Sequence, residues 1–313
     1  MLSNPTFKKI TGVILAIIAI LGVHYLVMNL YVFIVASVYA AVFRPSGEAF
    51  QSFIASQAVI AVIVAGVVAL LLYVMHFNAR NASLWTVSRF RKFKPLQGIL
   101  AFTAGLSAVF LSGIIVQAVA FLFPNAHARF LEMVDRLEMG GFVPLFIAVV
   151  IVAPFIEEVM FRGLVFRVLE QKYALVTTVL LQGVLFGAYH MNIIQGAYAA
   201  VLGVILGLSL IWTGSIWIPI IIHFGNNLMS TLLGLDPIAS FVEANELIAG
   251  GFVMIMLLIV FPLSLYGLYR HRTPFVMQSD ATIVLETNDS DIASKEDTWE
   301  RLDTLDKLLD RED

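Results

Sequence analysis

Residues 142–169 read FVPLFIAVVIVAPFIEEVMFRGLVFRVL, an apolar stretch interrupted by Glu157, Glu158, Arg162 and Arg167. As one helix the stretch would be about 42 Å long, enough to cross a hydrocarbon core of about 30 Å. An ionisable side chain near the bilayer centre costs about 2.5–3.5 kcal/mol on insertion scales. The two adjacent glutamates are therefore tolerated only if other helices of the same protein surround them.

The rest of the chain has the composition of a membrane protein. Of its 313 residues, 60% are hydrophobic and 13% are charged, and the mean hydropathy is +0.91. Soluble domains are about half apolar and a quarter charged. We therefore expect an all-α, polytopic transmembrane bundle of about eight helices, with a polar site buried among spans four, five and seven. The apolar runs are 10–43, 53–77, 98–123, 142–169, 173–190, 196–212, 217–235 and 247–269.

Two features of the sequence narrow the chemistry and the targeting. The chain has no cysteine, which excludes disulfides, thiolate catalysis and cysteine-ligated metal. The apolar run that follows Lys8 and Lys9 extends to Phe43, far beyond the 7–15 residues of a signal-peptide core. We interpret it as a retained first span. We expect the lipid bilayer as a partner and no nucleic acid.

Charge divides the chain into two regions. Residues 1–272 carry 15 Lys/Arg against 10 Asp/Glu, whereas residues 273–313 carry 4 against 12. The first region is predicted to be the transmembrane domain, with a motif-bearing core at 142–235. The second is predicted to be an acidic, disordered tail that binds a cytoplasmic partner or is simply solvated. The connection at 80–94 holds five Lys/Arg and no acid, and the positive-inside rule then places both termini in the cytoplasm.

Helical spacing suggests how one glutamate is compensated. Glu158 and Arg162 are four residues apart, so they share a helix face and can pair. Glu157 points about 100° away and is free to face a cavity. Arg162 could instead be a positive-inside anchor together with Arg167 and Lys172.

Two other runs carry polar groups that can meet the glutamates. His190 ends the fifth run, while His223 and Asn227 lie four residues apart in the seventh. If the turn after the fourth run lies near 172–174, Glu158 and His190 stand at similar heights on antiparallel helices. The sequence therefore predicts that these side chains converge.

Such a set suggests hydrolysis of an amide bond. A carboxylate beside a histidine can take a proton from water, and an imidazole with an amide can stabilise a tetrahedral oxyanion. As an alternative, Glu157, His190 and His223 could ligate Zn²⁺ and leave one position for water. No role is assigned to the remaining histidines, which are His24, His76, His127 and His271.

Three motifs also carry a family resemblance. Glu-Glu-x-x-x-Arg (157–162), Phe-x-x-x-His (186–190) and His-x-x-x-Asn (223–227) occur in this order on successive apolar runs. The chain thereby resembles the CPBP family of CAAX prenyl endopeptidases and bacteriocin-processing or immunity (Abi) proteins. The resemblance implies an eight-helix intramembrane endopeptidase whose cavity opens to the cytoplasm of a bacterial plasma membrane. It also implies a membrane-associated peptide or protein substrate.

The resemblance also assigns roles by position. Glu157 would activate water with assistance from His190. The oxyanion would be held by His223 with Asn227. The predicted catalytic set is Glu157, Glu158, Arg162, His190, His223 and Asn227, with Glu158 and Arg162 orienting the site. We favour metal-free, glutamic catalysis without a cofactor over the zinc alternative. A non-catalytic scaffold or regulator, such as an immunity protein or a sensor-kinase partner, is the alternative function.

Overall fold

The computed structural model describes residues 5–273 and 275, and this part of the chain is built from helices without strands. The helices are α1 (Pro5–Phe43), α2 (Gly47–Ser56), α3 (Ala58–Asn78), α4 (Leu84–Val87), α5 (Pro95–Leu122), α6 (Pro124–Glu138), α7 (Phe142–Glu170), α8 (Leu175–Tyr189), α9 (Ile193–Thr213), α10 (Trp217–Leu233), α11 (Asp236–Ala244) and α12 (Glu246–Arg270).

The eight predicted apolar runs are all helical, but they are not eight equal spans. Six helices of the described chain, α1, α3, α5, α7, α9 and α12, are long and apolar enough to cross a membrane. Helices α10 and α11 form a pair bent by 73°. Helix α8 has 15 residues and is about 22 Å long, short of the hydrocarbon thickness. The predicted polytopic all-α bundle is confirmed, with the fifth run corrected to a short helix.

Helix α1 is one unbroken helix of 39 residues that lies at the edge of the bundle. It packs mainly against α3, and most of its side chains face outward. Of the side chains described in it, at residues 10–43, only Val13 and His24 are buried. His24 is the one buried polar side chain among these described residues of α1.

Helix α7 has an irregular backbone around the glutamate pair. Ala153–Glu158 is α-helical, and π-helical turns lie on both sides, at Phe146–Val152 and Val159–Val165. Pro154 has no N–H to continue the regular hydrogen-bond ladder, which accounts for the first turn. We find no such cause for the second. From residue 158 to 166 every side chain is buried, so this half of α7 is surrounded by protein.

Glycines let the neighbouring helices approach closely. A Cβ atom on Gly203 of α9 would lie 2.9 Å from the Cα atom of Gly183 on α8. A Cβ atom on Gly105 of α5 would lie 2.2 Å from the carbonyl oxygen of Ile222 on α10. Small residues on α8 and α9 thus allow the two backbones to approach closely. The contact at Gly105 holds α10 close to α5 at the residue before His223.

The described chain continues a little past the predicted end of the membrane domain. The backbone N–H of Thr273 donates to the Trp212 carbonyl at 2.8 Å, and the side chain of Phe275 is buried against Phe166. The packed region thus extends beyond residue 272. The predictions made for the rest of the acidic tail, residues 274 and 276–313, lie outside the described residues.

Candidate active site

The centre of the site is Glu158. Its Oε1 atom accepts hydrogen bonds from Arg162 Nη1 and from His223 Nδ1, both at 2.9 Å. The side chains of Glu158 and Arg162 are fully buried, and that of His223 is 5% exposed. The ion pair predicted from the four-residue spacing is confirmed. It extends across to α10, so a carboxylate, a guanidinium and an imidazole form one buried network.

Arg162 joins three helices. Its Nη2 atom donates to the Gly203 carbonyl of α9 at 3.1 Å, and its guanidinium lies 4.5 Å from the centre of the Phe186 ring of α8. Because Arg162 is fully buried, the reading of it as an anchor at the membrane surface is wrong. Gln182 of α8 donates to the same Gly203 carbonyl at 2.8 Å. Sequence reasoning missed Gln182, because no motif includes it.

Glu157 faces a different direction from Glu158 and is the less buried of the two. Its side chain is 15% exposed, and its Oε2 atom lies 3.8 Å from His223 Nε2. This distance is too long for a direct hydrogen bond, but one water molecule can bind both atoms from the side. Since Nδ1 of His223 donates to Glu158, Nε2 of the neutral ring is a proton acceptor. Glu157 and His223 are thus arranged to take a proton from a shared water.

His190 is held by the backbone at the end of α8. Its Nδ1 atom lies 2.8 Å from the Phe186 carbonyl and donates to it, which leaves Nε2 as an acceptor in the neutral ring. Ring contacts connect it to the network, because the centre of the Phe186 ring lies 5.1 Å from that of His190 and 5.6 Å from that of His223. The predicted turn between α7 and α8 lies at 171–174, as expected.

Asn227 contacts the backbone of α7. Its Nδ2 atom donates to the Val149 carbonyl at 2.8 Å, within the first π-helical turn, and its Oδ1 atom accepts from Asn226 at 3.1 Å. This contact holds α10 against the irregular part of α7. An oxyanion role for Asn227 remains a prediction and would use its second N–H group.

The metal alternative finds no ready ligand set. Within residues 5–273 and 275, no group of three or more His, Asp or Glu side chains is placed to hold a metal ion. His223 Nδ1 donates to Glu158 and His190 Nδ1 donates to a carbonyl, so each ring keeps its Nε2 lone pair, as a metal ligand would. What the alternative set of Glu157, His190 and His223 lacks is proximity, because the three side chains are not grouped closely enough in this arrangement to hold zinc.

The structure adds two residues that sequence reasoning left without a role. His24 Nδ1 lies 2.6 Å from the hydroxyl of Tyr189, the residue before His190. Glu157 is close enough to act electrostatically on both of them. The only signal in the sequence is that an ionisable residue inside a span is functional by default. That signal does not identify a partner 165 residues away.

Several buried polar atoms of this region have no protein partner. They are His24 Nε2, Glu158 Oε2, Arg162 Nε and Gln182 Oε1. An unsatisfied buried polar group costs about 1–3 kcal/mol, and such groups in native proteins usually bind water or a ligand. The site is therefore suited to bind a polar group, such as water or a peptide group.

The comparisons agree with the motifs. Residues 139–229 match the family described as type II CAAX prenyl endopeptidase Rce1-like. The chain is also 31% identical over 114 residues to a Bacillus subtilis (strain 168) protein named "Putative membrane peptidase YdiL". That match covers 35% of this chain and 47% of the relative, so the chain spans about half the length of the curated relative. No solved structure gives a significant match. Residues 139–229, which contain all six predicted site residues, are therefore similar to the family of the CAAX prenyl endopeptidases.

Proposed function

We propose that the protein is an intramembrane endopeptidase that hydrolyses a peptide bond of a membrane-associated protein or peptide. The observation that carries the proposal is the 3.8 Å separation of Glu157 Oε2 and His223 Nε2. The imidazole is oriented by its hydrogen bond to the buried Glu158–Arg162 pair. An orienting carboxylate behind a histidine is the arrangement that acid–base catalysis requires.

The reaction proceeds by direct attack of water. Glu157 accepts a proton from the water while the water oxygen bonds to the carbonyl carbon of the scissile peptide. The tetrahedral intermediate then collapses, the C–N bond breaks, and the proton passes to the leaving nitrogen. His223, on one side of Glu157, helps to hold the transferred proton. His190 assists in the proton transfer, because its Nε2 atom is an acceptor. The products are a new carboxylate and a new amine.

We favour catalysis without a metal. The carboxylate and the imidazole on this face suffice to activate water, whereas the zinc alternative needs a third ligand that the described residues do not bring to the same point. Sensitivity to chelators distinguishes the two mechanisms.

We also propose a bacterial plasma membrane location with both termini in the cytoplasm. The basic connection at 80–94 supports this orientation, because Arg89 within it pairs with Glu170 at the end of α7. The loop and that end of α7 therefore lie at the same side of the bundle. The positive-inside rule assigns this side to the cytoplasm.

The test is a comparison of new N-termini in membranes. Cells that express the wild-type chain or Glu157→Gln at equal levels are compared by mass spectrometry of protein N-termini. We expect a small set of membrane-associated N-termini in wild type that is absent from Glu157→Gln. The matched control is Glu132→Gln, the same substitution at an exposed acid of α6, and it should resemble wild type.

Identical N-termini in wild-type and Glu157→Gln membranes would contradict the proposal. If the cellular phenotype also survived both Glu157→Gln and His223→Ala, the result would favour the non-catalytic scaffold. Such a scaffold would depend on its surfaces rather than on this polar network.

A further inference from the structure

His24 is the one buried polar side chain in the described part of α1. It is 5% exposed, while Tyr25 and Leu26, which follow it, are exposed and Leu21 and Val23, which precede it, are only partly buried. Burying an imidazole without a partner is costly, so its position requires a specific contact. That contact is made with the helix that ends at His190.

The geometry of the contact indicates which atom carries the proton. Tyr189 Oη and His24 Nδ1 are 2.6 Å apart. This is shorter than the 2.7–3.2 Å usual for an N–H donor and falls in the range of hydroxyl donors. The tyrosine therefore donates to Nδ1, and the neutral imidazole carries its hydrogen on Nε2. Nε2–H is then a buried donor, and no protein atom accepts from it.

The surroundings connect this donor with the site. Helix α1 packs against the second π-helical turn of α7, which directly follows the glutamate pair. The ring of Tyr189 packs against Phe161 at 5.5 Å and against His190 at 6.3 Å. Glu157 acts electrostatically on His24 and Tyr189 and also on Tyr198 of α9.

A further donor would add to the expected ones, because each of those already makes one hydrogen bond within the protein and only the second N–H group of Asn227 is left. The resemblance assigns the oxyanion to His223 and Asn227. His223 Nδ1 donates to Glu158, and Asn227 Nδ2 donates to the Val149 carbonyl. A tetrahedral intermediate requires N–H or O–H groups directed at its oxygen.

We propose that His24 Nε2–H is a further donor to the carbonyl oxygen of the scissile peptide, and that Tyr189 is the positioning residue that fixes its tautomer. This inference rests on the proposed peptidase function. It makes α1, which lies outside the family-matched residues 139–229, a contributor to the reaction centre.

The experiment uses the purified full chain and a peptide spanning the cleavage site found in the membrane comparison. His24→Phe keeps the volume but removes the donor, and we expect kcat to fall about 100-fold with KM changed less than about threefold. His24→Gln places an amide N–H near the position of Nε2 and should keep kcat within about tenfold of wild type. Tyr189→Phe should lower kcat about tenfold by freeing the tautomer.

Tyr73→Phe is the matched control. It also removes one hydroxyl group, which donates to the Ile20 carbonyl at 2.6 Å and ties α3 to α1. It should leave kcat unchanged. Equal losses in His24→Phe and His24→Gln, a loss in KM alone, or a Tyr73→Phe loss as large as that of Tyr189→Phe would show a structural role and overturn the inference. Tyr189→Phe removes a single oxygen, so it tests the same hydrogen bond if His24→Phe does not fold.

The two proposals fail differently. If Glu157→Gln cleaves the peptide like wild type, the proposed reaction at Glu157 is wrong, and this inference falls with it. If Glu157→Gln is inactive but His24→Phe is fully active, only the role of His24 is overturned.

Discussion

Two arginine–carboxylate pairs are buried among the described residues, and their surroundings differ. Arg89 Nη2 donates to both oxygens of Glu170, at 2.6 and 2.7 Å, and both side chains are 1% exposed. The guanidinium of Arg89 is covered by the rings of Phe275 at 4.8 Å and Phe166 at 5.9 Å. Burial lowers the pKa of Arg89, and the Glu170 carboxylate opposes that change. The Arg89–Glu170 pair is thus covered by aromatic rings, and it joins a loop to the end of α7.

The second pair, Glu158 with Arg162, opens into a polar network. The same carboxylate oxygen that accepts from Arg162 also accepts from His223, and its other oxygen has no protein partner. The adjacent Glu157 is partly exposed. A buried ion pair gives little net stability by itself, so its surroundings indicate its use. The Arg89 pair is structural, whereas the Arg162 pair orients an imidazole toward Glu157.

The largest effect on kcat is expected from removing His223, the side chain that lies between the Glu158–Arg162 pair and Glu157. His223→Ala removes the imidazole and should lower kcat by about 10²–10⁴-fold, the usual contribution of a general acid or base. Initial rates on the identified peptide measure it. His271→Ala, at an exposed histidine, is the control and should match wild type. A His223→Ala rate within threefold of wild type would mean that the Arg162 pair has no more part in catalysis than the Arg89 pair.

Breaking the first pair should affect stability instead. Arg89→Met leaves the buried Glu170 with only the longer, 3.4 Å contact to Arg167 and should lower the free energy of unfolding by about 3 kcal/mol. Activity per folded molecule should stay unchanged, because the pair has no contact with Glu157 or His223 in the structure. Denaturant unfolding in detergent measures the loss.

The double variant Arg89→Met with Glu170→Met sharpens this comparison. It removes both charges and should recover most of the lost stability. If Arg89→Met lowered kcat of the folded protein as strongly as His223→Ala, the assignment of a purely structural role would be wrong.

A smaller effect is expected when Arg162 keeps its charge but loses its planar fork. Arg162→Lys cannot hold Glu158, the Gly203 carbonyl and the Phe186 ring together, so kcat should fall about 10–100-fold. The matched Arg89→Lys should change kcat less than about twofold by the same reasoning. An equal response of the two variants would mean that the pairs do not differ in function.

The smallest effect is expected from metal removal. Under metal-free catalysis, a strong zinc chelator should change the rate less than about twofold, because no step uses a Lewis acid. Rates before and after chelation, with and without added Zn²⁺, measure it. Loss of activity that Zn²⁺ restores would replace the glutamic mechanism with the metal-dependent one.

Local spacing in the sequence predicted the helices and one ion pair of the site. The apolar runs predicted the helices, and the four-residue spacing of Glu158 and Arg162 predicted their ion pair. The turn expected near 172–174 lies at 171–174, between α7 and α8. All of these follow from contacts within one helix or between sequential helices.

Contacts between distant segments could not be predicted in this way. The Arg89–Glu170 pair joins residues 81 positions apart, and the contact of His24 with Tyr189 joins residues 165 positions apart. No periodicity carries such information. The hydrogen bond from Asn227 to the Val149 carbonyl could not be predicted for a related reason. That carbonyl lies in the π-helical turn of α7, which no motif indicates.

The most direct test is the single-turnover rate of purified Glu157→Gln on the identified peptide, with its unfolding midpoint measured alongside. The amide keeps the size of the side chain but cannot accept the proton of water. We predict a rate about 10²–10⁴-fold below wild type and an unchanged midpoint. A rate within tenfold of wild type at the same midpoint would contradict the claim that Glu157 activates water.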